Sequence, residues 1–159
     1  MQKIFIDYSS FSSELEIMNL EGVPSVRCYL RNRMLVLLPE EHVRQLLILA
    51  LVKQLGVSEN KIAIEKKLEV NGMTRRFDLL IYDNNFNPLI LVECKAPAIK
   101  IGQDTFDQIA RYNLYIKAPY LLVTNGIDTY FCEYDTIKHS YNALTLEDWA
   151  TIVTKNKLS

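Results

Sequence analysis

Asp78, Glu93 and Lys95 are the residues whose types and spacing could do chemistry. Asp78 is the one acid in the apolar run Phe77 to Tyr82, and Glu93-Cys94-Lys95 closes the apolar run Leu89-Ile90-Leu91-Val92. Charges among apolar neighbours are costly unless they are paired or bind a metal. A divalent cation would account for them: two carboxylates, the backbone carbonyl of Cys94 and water make the oxygen-rich, incomplete shell that magnesium accepts. Beside that ion, Lys95 could orient or deprotonate an attacking water, or stabilise negative charge on a phosphate oxygen. The same spacing equally serves a structural ion pair at a strand end, Lys95 with Asp78 or Glu93.

The elements that must position these groups follow from local pattern. A short apolar run ended by charge suits a buried central strand, and side-chain alternation puts Glu93 and Lys95 on one face with Cys94 on the other. The linker Asp83-Asn84-Asn85-Phe86-Asn87-Pro88 has turn composition, so the Asp78 and Glu93 strands form an antiparallel hairpin with the two carboxylates opposite one another. Upstream, Ile62, Ile64, Leu68 and Val70 alternate along one strand, and Asn71-Gly72 turns into the Asp78 strand. Arg75 and Arg76 lie close enough in sequence to reach a bound phosphate. Pro39 opens a helix with Glu40 and Glu41 in its first turn; it is apolar on nearly every face from Val43 to Leu55 and stops at Gly56.

After Ala96-Pro97 a helix over 103–117 carries Gln108 and Tyr112 at i and i+4, on one face. Its crossover leads to a strand, Pro119 to Thr124, parallel to the Glu93 strand, and Asn125-Gly126 turns into a strand over 127–134. Thr145 and Asp148 start a capped helix that packs Trp149 against the sheet edge. At the beginning, Lys3 to Tyr8 reads as a strand, and Val26 to Leu30 with Met34 to Leu38 as a small sheet turned at Arg31-Asn32-Arg33. Arg27, Arg31 and Arg33 could touch phosphate, although an ordinary solvated turn explains them as well.

The 159 residues, 49% hydrophobic, suit one compact domain with a real core. Eighteen basic and 19 acidic residues leave a net charge of −1, so no global positive field advertises nucleic acid. Cys28, Cys94 and Cys132 are well separated, odd in number and without CxxC spacing, as expected of reduced thiols. With neither a signal-peptide run nor a span of membrane length, a soluble cytoplasmic protein is expected. His42 and His139 have no motif neighbours, which argues against a histidine mechanism.

Asp78, a spacer and Glu93-Cys94-Lys95 resemble the PD-(D/E)XK nuclease signature. Five ordered blocks carry the likeness further: Pro39-Glu40-Glu41-His42-Val43-Arg44-Gln45, Arg76-Phe77-Asp78, Val92 to Pro97, Gln108-Ile109-Ala110-Arg111-Tyr112 and Thr124-Asn125-Gly126. In that order they resemble the N-terminal nuclease domain of type I restriction enzyme R (HsdR) subunits. The resemblance implies an α/β restriction-endonuclease-like fold, with a mixed central sheet flanked by helices. It places an N-terminal strand-rich extension at 1–38, the nuclease core at 39–135 and a helical tail at 136–159.

The implied activity is hydrolysis of DNA phosphodiesters with Mg2+, Mn2+ being a possible substitute. Asp78, Glu93 and the Cys94 carbonyl would hold the metal with a helix acid, Glu41 or alternatively Glu40. Lys95 and Gln108 would assist catalysis, and Arg76, Gln108 and Tyr112 would contact nucleic acid. No phosphate-loop signature occurs, so a motor or specificity subunit is expected on another chain, and a homodimer is a plausible arrangement for cutting two strands. The competing expectation is a catalytically silent module of the same fold that binds nucleic acid or a partner protein.

Overall fold

Leu89 to Val92 lie at the centre of the molecule because each residue of that run finds an apolar layer on one side of a sheet or the other. In the computed structural model, which describes residues 1–64, 67–70 and 72–159 and only the backbone of Leu68, Val70 and Arg75, three sheets and three α-helices are formed. Strands β1 (Ile17–Leu20), β2 (Val23–Arg27) and β3 (Met34–Val36) make a small antiparallel sheet, and α1 (Pro39–Lys53) follows. Next come β4 (Ile62–Ile64), β5 (Lys67–Val70), β6 (Met73–Arg76), β7 (Leu79–Tyr82) and β8 (Pro88–Cys94). The chain finishes with α2 (Gln103–Ile116), β9 (Tyr120–Thr124), β10 (Thr129–Asp135), β11 (Ser140–Ala143) and α3 (Leu146–Lys155).

The central sheet has the order β11-β10-β9-β8-β7-β4, antiparallel except for the parallel β8–β9 pair that the α2 crossover permits. Alternation sorts its side chains between two layers. Leu79, Ile81, Ile90, Val92 and Cys94 join the core containing α1 and α3, whereas Leu80, Leu91, Leu121, Val123 and Cys132 join the α2 side. Every residue from Val43 to Leu51 of α1 is buried, as a helix without a polar face requires. The expected mixed sheet flanked by helices is thus found. Thr145 and Asp148 form a reciprocal capping box on α3. Trp149 packs on the sheet face rather than its edge, its ring 5.0 Å from Phe131 of β10, while its indole N–H donates to the Leu55 carbonyl beyond α1.

Several expected strands differ. Lys3 to Tyr8 touches the sheet through a lone bridge, Ile4 to Thr129, before a 3-10 helix over Tyr8–Glu14. Ser9 and Ser10 hydroxyls donate to Asp7, local bonds that compete with strand pairing. The continuous strand expected upstream of Asp78 is divided: β4 joins the central sheet, while β5 and β6 form a separate hairpin. Asn71, half of the expected turn, and the side chains of Leu68, Val70 and Arg75 lie outside the described residues. Gly72 has φ +73° where Val70 and Met73 pair, the conformation an Asn-Gly turn demands. The three cysteines are free and buried. Among the described residues no helix is long and apolar enough to cross a membrane.

Candidate active site

Asp78 stands in a bend between β6 and β7, not within a strand. The β7–β8 register pairs Leu79 with Val92, so the next positions outward, Asp78 and Glu93, face one another at the end of the hairpin. Asp78 Oδ2 accepts the Cys94 backbone N–H at 2.7 Å, which ties the bend to the last residue of β8. Lys95 Nζ lies 2.7 Å from Glu93 Oε1, as two residues on one face of a strand should, and the Lys95 N–H extends the ladder to the Thr124 carbonyl at 2.8 Å. Cys94 points into the opposite core. Burial pushes its thiol well up, so it offers no thiolate.

The second polar layer comes from α1. Glu41 pairs with Arg44 one turn on, and its other oxygen accepts Gln45 Nε2 at 2.8 Å. Arg44 reaches Asp78 Oδ1 with its second terminal nitrogen at 3.5 Å. Both Glu41 oxygens are therefore engaged within α1. Glu40 is exposed, but its charge is felt by Asp78, Glu93 and Lys95.

The electrostatics follow from this crowding. Desolvation and then the charge of Glu93 raise Asp78 to about 7, outweighing the Cys94 N–H and Arg44. Glu93 is also raised, by burial and by Glu40, against the opposing effect of Lys95. For Lys95 burial acts downward, yet the hydrogen bond and charge of Glu93, with Glu40 and Asp78, prevail and raise it. By formal charge, Glu40, Glu41, Asp78 and Glu93 stand against Arg44 and Lys95, an acidic excess.

Among the described residues no three His, Cys, Asp or Glu side chains form a ready-made metal cage. The donor set nevertheless suits a hard dication: its side-chain donors are carboxylate oxygens, its formal charge is negative in excess, and a cation would offset the burial and the Glu93 charge that together raise Asp78.

The remaining sequence candidates belong to other elements. Gln108 Nε2 donates to the Tyr112 hydroxyl at 3.1 Å, on the helix covering the face from which Glu93 and Lys95 project. Arg76 is exposed at the end of β6. Arg27 is paired with Glu16 and Asn32, and Arg31 donates to the Ile64 carbonyl, which gives both a structural role. Thr124-Asn125-Gly126 is a scaffold: Asn125 Oδ1 accepts from Ile127 and Asp128, and Gly126, at φ +83°, lies against Val43 of α1, where an added Cβ would stand 3.1 Å from Cγ2. Arg44 and Gln45 were not among the expected site residues. Polar side chains inside an otherwise apolar helix, three and four residues after an acid, are the signal that marks them.

A mixed α/β domain with two opposed buried carboxylates and a lysine at the end of a hairpin is the class these observations define. The chain belongs to the family of the type I restriction enzyme R protein N terminus, which matches residues 39–146. The resemblance read from the five ordered blocks is thereby confirmed. In fold the chain is similar to a fragment described as an HsdR subunit of a type I restriction enzyme from Vibrio vulnificus YJ016, with a TM-score of 0.53 and 19% identity over 76% of this chain and 26% of that one. The chain thus spans about a quarter of the length of that solved structure. No curated protein matches it.

Proposed function

We propose that the domain hydrolyses DNA phosphodiester bonds with magnesium as part of a type I restriction system. The observation that carries this reading is the register-opposed pair Asp78 and Glu93, two desolvated carboxylates held together although each destabilises the other's charge. A site relieved of cation binding gains nothing from that repulsion.

Asp78 and Glu93 would hold the ion with the Cys94 carbonyl and water, and Mn2+ would substitute. When bound, the ion supplies Lewis-acid polarisation of a phosphoryl oxygen and makes water more acidic. Lys95, kept cationic by Glu93, orients the water and opposes negative charge building on the phosphate. Glu40 is the α1 acid best placed to support the ion or its water, because Glu41 is committed to Arg44 and Gln45. Gln108 and Tyr112 present an amide and a phenol to water, phosphate or a stacked base, and Arg76 a guanidinium to the backbone. Motor and specificity functions belong to other chains or segments, and two copies would serve the two strands of a duplex.

A second reading, a silent nucleic-acid- or protein-binding module, draws on the pairing of Lys95 with Glu93 and Arg44 with Asp78, which gives each carboxylate a cation of its own. Calorimetry of Mg2+ and Mn2+ on the wild type and Asp78→Ala, with plasmid nicking on the same samples, separates the two. Binding and nicking that both disappear in Asp78→Ala support the nuclease; a wild type that binds no metal leaves the silent module.

A further inference from the structure

We propose that Arg44 is a positioning residue, anchored by Glu41 and Gln45, that fixes the Asp78 carboxylate in the orientation in which it meets Glu93. The consequence for metal binding rests on the nuclease reading; the positioning itself does not.

The argument starts from the backbone. Asp78 sits in a bend, so no strand ladder holds it. Its carboxylate is fixed from two sides instead: Oδ2 by the Cys94 N–H at 2.7 Å and Oδ1 by Arg44 at 3.5 Å. Arg44 is itself held. Its guanidinium grips Glu41, whose second oxygen accepts Gln45 Nε2 at 2.8 Å, and Gln45 Oε1 accepts the Tyr29 N–H at 3.0 Å. Glu41 and Arg44 are each 7% exposed and Gln45 is 0% exposed, so the series runs through the interior from the residue after β2 and Cys28 to the end of β8.

A planar fork can serve two acceptors at a set angle, whereas an ammonium is a point charge on a flexible stem; Arg44 meets Glu41 and Asp78 with the two arms of the fork. The Arg44 charge also lowers Asp78, so the geometric part is the part that Arg44→Lys, which keeps the charge and loses the fork, would remove.

Two variants separate geometry from charge. The double variant Glu41→Gln/Arg44→Met removes both charges together, which avoids a lone buried ion and keeps an acceptor for Gln45. It is expected to stay folded. The Cys94 amide, released by a wandering Asp78, should exchange with deuterium about tenfold faster, while the Leu91 and Val92 amides keep wild-type protection. Mg2+ affinity by calorimetry should weaken about 10- to 100-fold, as when a group behind a metal ligand is lost. Arg44→Lys, which keeps the charge without the fork, should fall between the two, and it carries the test should the double variant fail to fold. Unchanged Cys94 exchange in whichever variant folds overturns the inference, as does unchanged metal affinity in a wild type that binds the ion. A wild type that binds no metal counts against the nuclease reading alone, since Cys94 exchange still decides the positioning.

Discussion

Two buried polar clusters meet where Cys94 of β8 pairs with Thr124 of β9, and they are built on opposite terms. On one side Tyr8 joins Thr124 and Thr129 in a ring of hydroxyls, with contacts of 3.0, 3.0 and 2.8 Å. All three are uncharged, all are buried, and burial holds the Tyr8 phenol up at about 12. On the other side Asp78 and Glu93 are charged groups whose closeness works against both. The first cluster satisfies itself and needs no ligand. The second is offset by cations of the protein itself, Lys95 beside Glu93 and Arg44 beside Asp78. A neutral network ties the N-terminal segment to the sheet, while a network with an excess of acidic groups closes the neighbouring strand.

The contrast is broken most severely at the charged cluster. Glu93→Gln keeps shape but removes one donor charge and the anchor of Lys95. Nicking should fall by about 10²- to 10³-fold or more, on the scale of losing one electrostatic contact to the transition state. A supercoiled plasmid assay with Mg2+ reads the loss. Residual cutting near wild type would show that the two clusters differ only in charge and not in role.

Stability against pH sharpens the same contrast. The Asp78 carboxyl is raised from 3.8 to about 7 on folding, so the folded state favours its protonated form. That contribution is complete below about 4 and is lost as pH rises through about 7. In metal-free buffer, Asp78→Asn, which cannot titrate, should therefore gain Tm over the wild type progressively across this range while losing metal binding. Added Mg2+ should restore wild-type Tm most at the alkaline end. A Tm difference independent of pH would contradict the crowding described at Asp78.

Much of this was legible because it is local. The apolar run 89–92, the acid at 78 and the turn composition between them fix a hairpin whose register alone opposes Asp78 to Glu93, and side-chain alternation alone brings Lys95 onto Glu93. The polar layer beneath was less legible. Arg44 meets Asp78 across 34 positions of sequence, and the allocation of Glu41 to the interior and Glu40 to the surface depends on how α1 is rotated against the sheet, which one turn of two adjacent acids does not reveal. Strand β1 was missed because its four residues are all exposed and so lack a buried alternation; Glu21 and Gly22, both at positive φ, turn it into β2. The first residues misled for a tertiary reason, since Tyr8 is drawn inward to hydroxyls more than 110 positions away.

The smallest effect belongs to the neutral cluster and tests whether it is structural only. Tyr8→Phe removes one hydroxyl but leaves Thr124 and Thr129 bonded to one another at 2.8 Å, with the Thr124 hydroxyl also able to donate to the Asp128 carbonyl at 3.1 Å. Neither threonine is orphaned, so the cost should be that of a single neutral hydrogen bond, about 0.5–1.5 kcal/mol in denaturant unfolding. Mg2+ affinity and nicking should match the wild type, because no charged group of the site contacts the phenol. A Tyr8→Phe variant that kept its stability but lost metal binding would reverse the division, making the N-terminal segment part of the site.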